Sequence, residues 1–66
     1  MVNNANQIAL HFTGFPREEA VRGILDHIEK FWEPRMKDQL MDYVAHGGEG
    51  LDELVIQAVK RMELSA

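Results

Sequence analysis

Residues 20–36 read AVRGILDHIEKFWEPRM, and the spacing of their apolar members decides the class of fold. Ala20, Val21, Ile24, Leu25, Ile28, Phe31 and Trp32 recur at intervals of three and four, the pattern of one face of an α-helix over three turns. Glu33 precedes a proline and is pushed away from helical backbone, while Pro34 suits the first position of a new helix. The stretch therefore predicts a long amphipathic helix, a rigid corner at Glu33-Pro34, and a further helix beyond it. It also sets the one Trp of the chain beside Arg35, which a corner alone does not explain.

Working outward, the flanking segments carry the same period. Ala5, Ile8, Ala9 and Phe12 share a face, with Asn3 or Asn4 available as N-cap, and Gly14 and Pro16 stop that helix. Pro16 then suits the start of the second helix, whose first turn holds Glu18 and Glu19 at the positive end of the macrodipole. After the corner, Met36, Leu40, Tyr43 and Val44 form an inner stripe, and HGGEG (residues 46–50) ends it with Gly47 as the expected left-handed residue. Asp52 caps a fourth helix, with Leu51 and Ile56 placed as a hydrophobic staple. Leu54, Val55, Ala58, Val59 and Met62 give its apolar face, and Lys60 and Arg61 are expected near its negative end. No segment alternates with period two as a strand would. The expected fold is all-α, a compact irregular bundle of four short helices forming one small domain over residues 1–66.

Composition narrows the function. At 66 residues the chain is one domain at most, and a core of that size supplies only ~3–5 kcal/mol without a staple or a partner. It has no Cys, which excludes disulfides, iron–sulfur ligation and zinc–thiolate sites. The net charge of −4 opposes docking on a phosphate backbone. The opening residues have neither the basic nor the apolar region of a signal peptide, and no apolar run approaches the ~20 residues of a membrane span. These features point to a cytoplasmic protein that binds neither membrane nor nucleic acid.

Catalytic chemistry finds little support. His11, His27 and His46 fall on three different helices, with no pair at i, i+4 and no liganding carboxylate on the same turn. His27, at the edge of the apolar arc, reads as a hydrogen-bonded boundary histidine, and His46 as a cation at a helix C-terminus. Ser65 and Thr13 are the sole hydroxyl candidates of their kinds, and the carboxylates lie off the apolar stripes. A partner surface is better supported. Leu10, Met41 and Ile56 lie off the inner stripes. Trp32 and Arg35, residue types enriched at interface hot spots, flank a rigid corner. Two readings of Trp32 stay open: an interface anchor, or a core plug beside Phe31 and Phe12 with Arg35 capping or pairing with Glu33 or Asp38.

Three blocks taken in order, ANQIALHF, HIEKFWEPRM and HGGEGLDELVIQAV, resemble the delta subunit of NAD-dependent formate dehydrogenase. The Phe-Trp-acid-Pro-Arg-Met block is the specific one. Glu33 stands where Asp is commoner in that family, and Glu53 follows Asp52 where Pro is frequent. The resemblance implies a non-catalytic accessory subunit of a molybdenum or tungsten enzyme that oxidises formate, with all cofactors in the larger subunits and none in this chain. Docking on the large subunits, to stabilise the complex or assist its maturation, is expected through His27, Trp32, Glu33, Pro34 and Arg35. A free-standing regulator is the alternative, either a helix-turn-helix DNA binder read by Arg35, Lys37 and Gln39 or a bundle that self-associates through Trp32.

Overall fold

A computed structural model describes residues 2–65, which form four helices: α1 (Val2–Leu10), α2 (Arg17–Phe31), α3 (Pro34–Ala45) and α4 (Glu53–Ser65). No strand occurs among the described residues. The radius of gyration is 10.5 Å, against ~11 Å for a compact chain of this length, so the helices pack rather than splay. The all-α bundle expected from apolar spacing is what the chain adopts.

The helix ends follow local chemistry. Pro16 sits just outside α2 and accepts the Ala20 N–H at 2.9 Å, a one-residue difference from the expected start and within the usual ambiguity of helix ends. Glu33 is extended (φ −68°, ψ 154°) and Pro34 opens α3, as a pre-proline residue and a proline require. At the far end of α3 the Gly47 N–H reaches the Val44 carbonyl and the Gly48 N–H reaches the Tyr43 carbonyl, both at 3.0 Å. This is a Schellman closure, with φ of +116° at Gly47 and +61° at Gly48 that side chains other than glycine rarely tolerate. The Tyr43 hydroxyl donates to the Glu49 carbonyl and ties down the same loop. Asp52 accepts the Leu54 N–H at 2.9 Å and caps α4, while Leu51 and Ile56 both join the core.

Two local expectations give way. Helix α1 already begins at Val2, so Asn3 and Asn4 lie inside its first turn and neither is its N-cap. Helix α4 runs on to Ser65, which leaves Lys60 and Arg61 in its middle rather than its last turn. Arg61 instead crosses to α2, where its guanidinium grips both carboxylate oxygens of Glu18 at 2.7 and 3.0 Å.

The core lies between α2 and α4, which share the largest interface. Val21, Ile24 and Ile28 meet Val55, Ala58, Val59 and Met62, with Ala5, Ile8 and Ala9 closing one side and Leu40 supplied by α3. Each fully buried Val or Ile contributes on the order of 1.5–3 kcal/mol, whereas the ion pairs all join water-exposed side chains and add little. Burial therefore holds the fold. Phe12 folds onto α2 at Gly23, where a Cβ would stand 2.3 Å from its ring. A larger residue there would have to displace the Phe12 ring, so glycine permits this packing despite its cost in a helix interior. Leu10 is exposed as its position off the stripe predicts, but Met41 and Ile56 pack against the core.

Asn6 is the clasp between the two ends of the chain. Its amide donates to the Gly50 carbonyl at 2.9 Å, and its side-chain oxygen accepts the Asp52 N–H at 2.8 Å. One side chain thereby seats α1 against the turn that starts α4.

Candidate partner-docking site

The corner that drew attention in the sequence is built from two adjacent aromatics facing opposite ways. Phe31 is the last residue of α2 and stands 73 % exposed. Trp32 has left the helix (φ −95°, ψ 138°) and is only 9 % exposed, part of the core cluster. On a helical wheel both belong to the apolar arc. The switch to extended backbone at Trp32 turns the indole inward and leaves the phenyl ring outside. Phe31 is thus absent from the core, contrary to its place in the arc, and Trp32 takes the role of core plug without Phe31 beside it.

Trp32 also forms the floor of a surface crevice of about 280 Å³ between α1 and the end of α2. Its walls are Asn4, Gln7 and Ile8 from α1, His11 from the turn that follows it, and His27 from α2. His27 is exposed, and its ring lies 4.8 Å from that of Phe31 at 41°. That aromatic contact replaces the hydrogen bond expected of a boundary histidine: among the described residues the His27 ring has no hydrogen-bond partner. Glu33, Pro34 and Arg35 are exposed on the adjoining corner but do not line the crevice. Arg35 neither caps nor pairs with Glu33 or Asp38, and its guanidinium has no ion-pair partner among the described residues. The remaining histidine, His46, bonds back to the Asp42 carbonyl at 2.8 Å, as its place at a helix C-terminus suggests.

The structure therefore brings His27 and Trp32 into one crevice and sets Glu33, Pro34 and Arg35 beside it. Sequence reasoning missed Asn4, Gln7 and His11, which follow one another at spacings of three and four along α1 and the turn after it, and it placed Phe31 on the wrong side. The signal that could have found Phe31 is its i, i+4 relation to His27, which puts both rings on one surface.

A second crevice of about 260 Å³ is lined by Arg22, Leu25, Asp26, Glu29 and Arg61. Here two of the four charged side chains are engaged by residues outside the lining. Asp26 pairs with Lys30 at 3.2 Å and Arg61 with Glu18. The hydrogen bonds from Arg61, with its charge and that of Arg22, hold the Glu18 carboxyl below the ordinary carboxylate range despite partial desolvation, and Glu18 in turn raises Arg61. Among the described residues no three His, Asp or Glu side chains gather as metal ligands would. No helix there is long and apolar enough to cross a membrane.

Comparison with known families gives a match over residues 1–59 to the NADH-dependent formate dehydrogenase delta subunit FdsD. The chain belongs to this delta-subunit family. Neither a curated protein nor a solved structure matches it. The matched span takes in α1, the whole Phe31–Arg35 corner and most of α4. As a formate dehydrogenase delta subunit, the protein works in association with other subunits.

Proposed function

We propose that this delta subunit is a non-catalytic accessory component that docks on the large subunits of a cytoplasmic, NAD-dependent molybdenum or tungsten formate dehydrogenase and stabilises the complex or assists its maturation. Family membership over residues 1–59 carries the reading. The docking surface is the corner His27, Trp32, Glu33, Pro34 and Arg35, joined by Phe31. Phe31 is the apolar anchor: a large exposed ring on a rigid helix end is ordered before binding and pays little entropy on docking. Trp32 supports that anchor from within the core rather than reaching the partner with its whole ring. Arg35, whose charge is unspent on neighbours, makes a charge-assisted contact to a partner carboxylate. Molybdenum or tungsten, iron–sulfur and flavin groups stay with the larger subunits. The absence of Cys in this chain supports that division.

The test is co-expression of the tagged chain with the formate dehydrogenase subunits at neutral pH, followed by affinity recovery and a formate-oxidation assay. The wild-type chain should bring down the large subunit. Phe31→Ala should reduce recovery at least tenfold, about 1.4 kcal/mol, and Arg35→Ala should do so by a smaller factor. Both variants should keep the wild-type helical circular dichroism. Unchanged recovery and oxidation with both variants would remove this surface from the interface.

A further inference from the structure

The four helices are not held equally. Of the 12 residues of α3 only Leu40 is fully buried, and Met36, Tyr43 and Val44 of its inner stripe are half-buried. Helix α2 buries Ala20, Val21, Ile24 and Ile28, and α4 buries Val55, Ala58, Val59 and Met62. Polar ties follow the same division. Arg17–Glu53 and Arg61–Glu18 join α2 to α4, and Asn6 joins α1 to the turn before α4. Among the described residues no side chain of α3 forms a hydrogen bond or ion pair with another helix. Tyr43 reaches only the following loop, and Asp42 pairs with His46.

The charges of α3 also oppose its own dipole. Glu33 makes no capping bond, no acid lies in the first turn, and no base lies in the last. Arg35 and Lys37 stand at the positive end and Asp42 at the negative end, the reverse of Glu18, Glu19 and Lys30 in α2. Both boundaries of α3 are insulated as well. The Trp32 N–H closes α2 on the Ile28 carbonyl and the Lys37 N–H opens α3 on the Glu33 carbonyl, both at 3.0 Å. Pro34, between them, has no N–H to carry the ladder across. At the far end Gly47, Gly48 and Gly50, all at positive φ, separate α3 from α4.

We propose that α3 opens and recloses as a unit in the free subunit while α1, α2 and α4 stay packed, and that docking holds it closed. A segment with few buried contacts opens at a lower free energy than the whole molecule. The closure by docking rests on the reading above. The proposed surface straddles the boundary, since His27 and Phe31 belong to α2 whereas Pro34 and Arg35 begin α3. A partner that grips both sides binds the closed form better than the open one and shifts the equilibrium toward it. A partner carboxylate at Arg35 also brings the negative charge that the first turn of α3 lacks.

Amide hydrogen exchange at neutral pH tests both halves on the full chain, alone and in the complex recovered with the formate dehydrogenase subunits. In the free chain the α3 amides should exchange at least about tenfold faster than the slowest amides of α2 and α4, after correction for intrinsic rates. Lys60→Gly separates local from global opening. Lys60 is exposed within α4. Glycine there should speed exchange of the α2 and α4 core amides about fivefold and leave α3 unchanged, because α3 opens with α4 intact. Equal protection of α2, α3 and α4, or an α3 rate that rises with the others in Lys60→Gly, would overturn the opening. Helices without any protection would overturn it too, since no core would remain for α3 to open from. In the complex α3 should slow at least about tenfold, and unchanged α3 exchange would overturn closure by docking. No complex at all would instead bring down the docking reading, with the opening still decided on the free chain.

Discussion

Two surface crevices of this small bundle are close in size, about 280 and 260 Å³, and differ in chemistry. The one beneath Arg61 is walled by four charged side chains of both signs and one leucine, and two of those charges, Asp26 and Arg61, are paired with Lys30 and Glu18 of the same chain. The one above Trp32 has no carboxylate, ammonium or guanidinium in its lining, and its amides and imidazoles hold back their hydrogen-bonding capacity. An exposed ring, Phe31, stands at its edge, and an uncommitted guanidinium, Arg35, lies on the corner beside it. A charged surface already partly paired gains less by meeting a partner, because contacts to Asp26 or Arg61 must first break existing ion pairs and the remaining charges must be desolvated. A surface with unspent donors, acceptors and apolar area has more to gain. That difference supports placing docking at the α1–α2 crevice rather than at the other.

The contrast can be broken most severely from below. Trp32→Ala removes the floor of the uncharged crevice and a core side chain together. A loss of about 3–5 kcal/mol is expected, as large as the ~3–5 kcal/mol that a core of this size supplies. The variant should be largely unfolded by far-UV circular dichroism; a wild-type denaturation midpoint would show that the indole is not a core element. Asn6→Ala is milder and tests the wall. Losing the two hydrogen bonds to Gly50 and Asp52 should cost about 1–2 kcal/mol in urea unfolding. Docking should weaken alongside, because α1 is no longer held in place. Normal docking with reduced stability would mean that α1 does not shape the site.

The smallest effect is expected at the charged crevice. Because Arg61 holds the Glu18 carboxyl low, their pair adds stability above the unfolded value of about 4.3 for glutamate and loses it as pH falls through the lower folded value. Glu18→Gln should flatten the dependence of Tm on pH on that acid side, to an extent that salt reduces. Docking at neutral pH should not change. A docking defect in Glu18→Gln would contradict the division of labour between the crevices.

Much of this fold is readable along the chain because local rules and the core agree. Glu33-Pro34 can only be a corner, Gly47 closes α3, Asp52 caps α4, and Leu51 and Ile56 join the core as a staple would place them. The reading failed where a neighbour distant in sequence decides. Arg61 looked like a helix-end cation, yet it binds Glu18, 43 residues away. Asn6 sits unremarked in a polar segment until the turn at Gly50 comes up against it. The candidate site was half legible. His27, Trp32 and the Glu33–Arg35 corner were singled out, whereas Asn4, Gln7 and His11 appear only when α1 is laid beside α2.

By itself the sequence determined four helices, their corners and caps, and which residues had to find a core, since each of those depends on spacing and on backbone chemistry a few residues wide. The tertiary structure alone decided which of two adjacent aromatics is buried. Periodicity assigns Phe31 and Trp32 to one arc, but the backbone leaves the helix between them, and only packing into the shared core determines which ring lies inside the bundle and which faces outward.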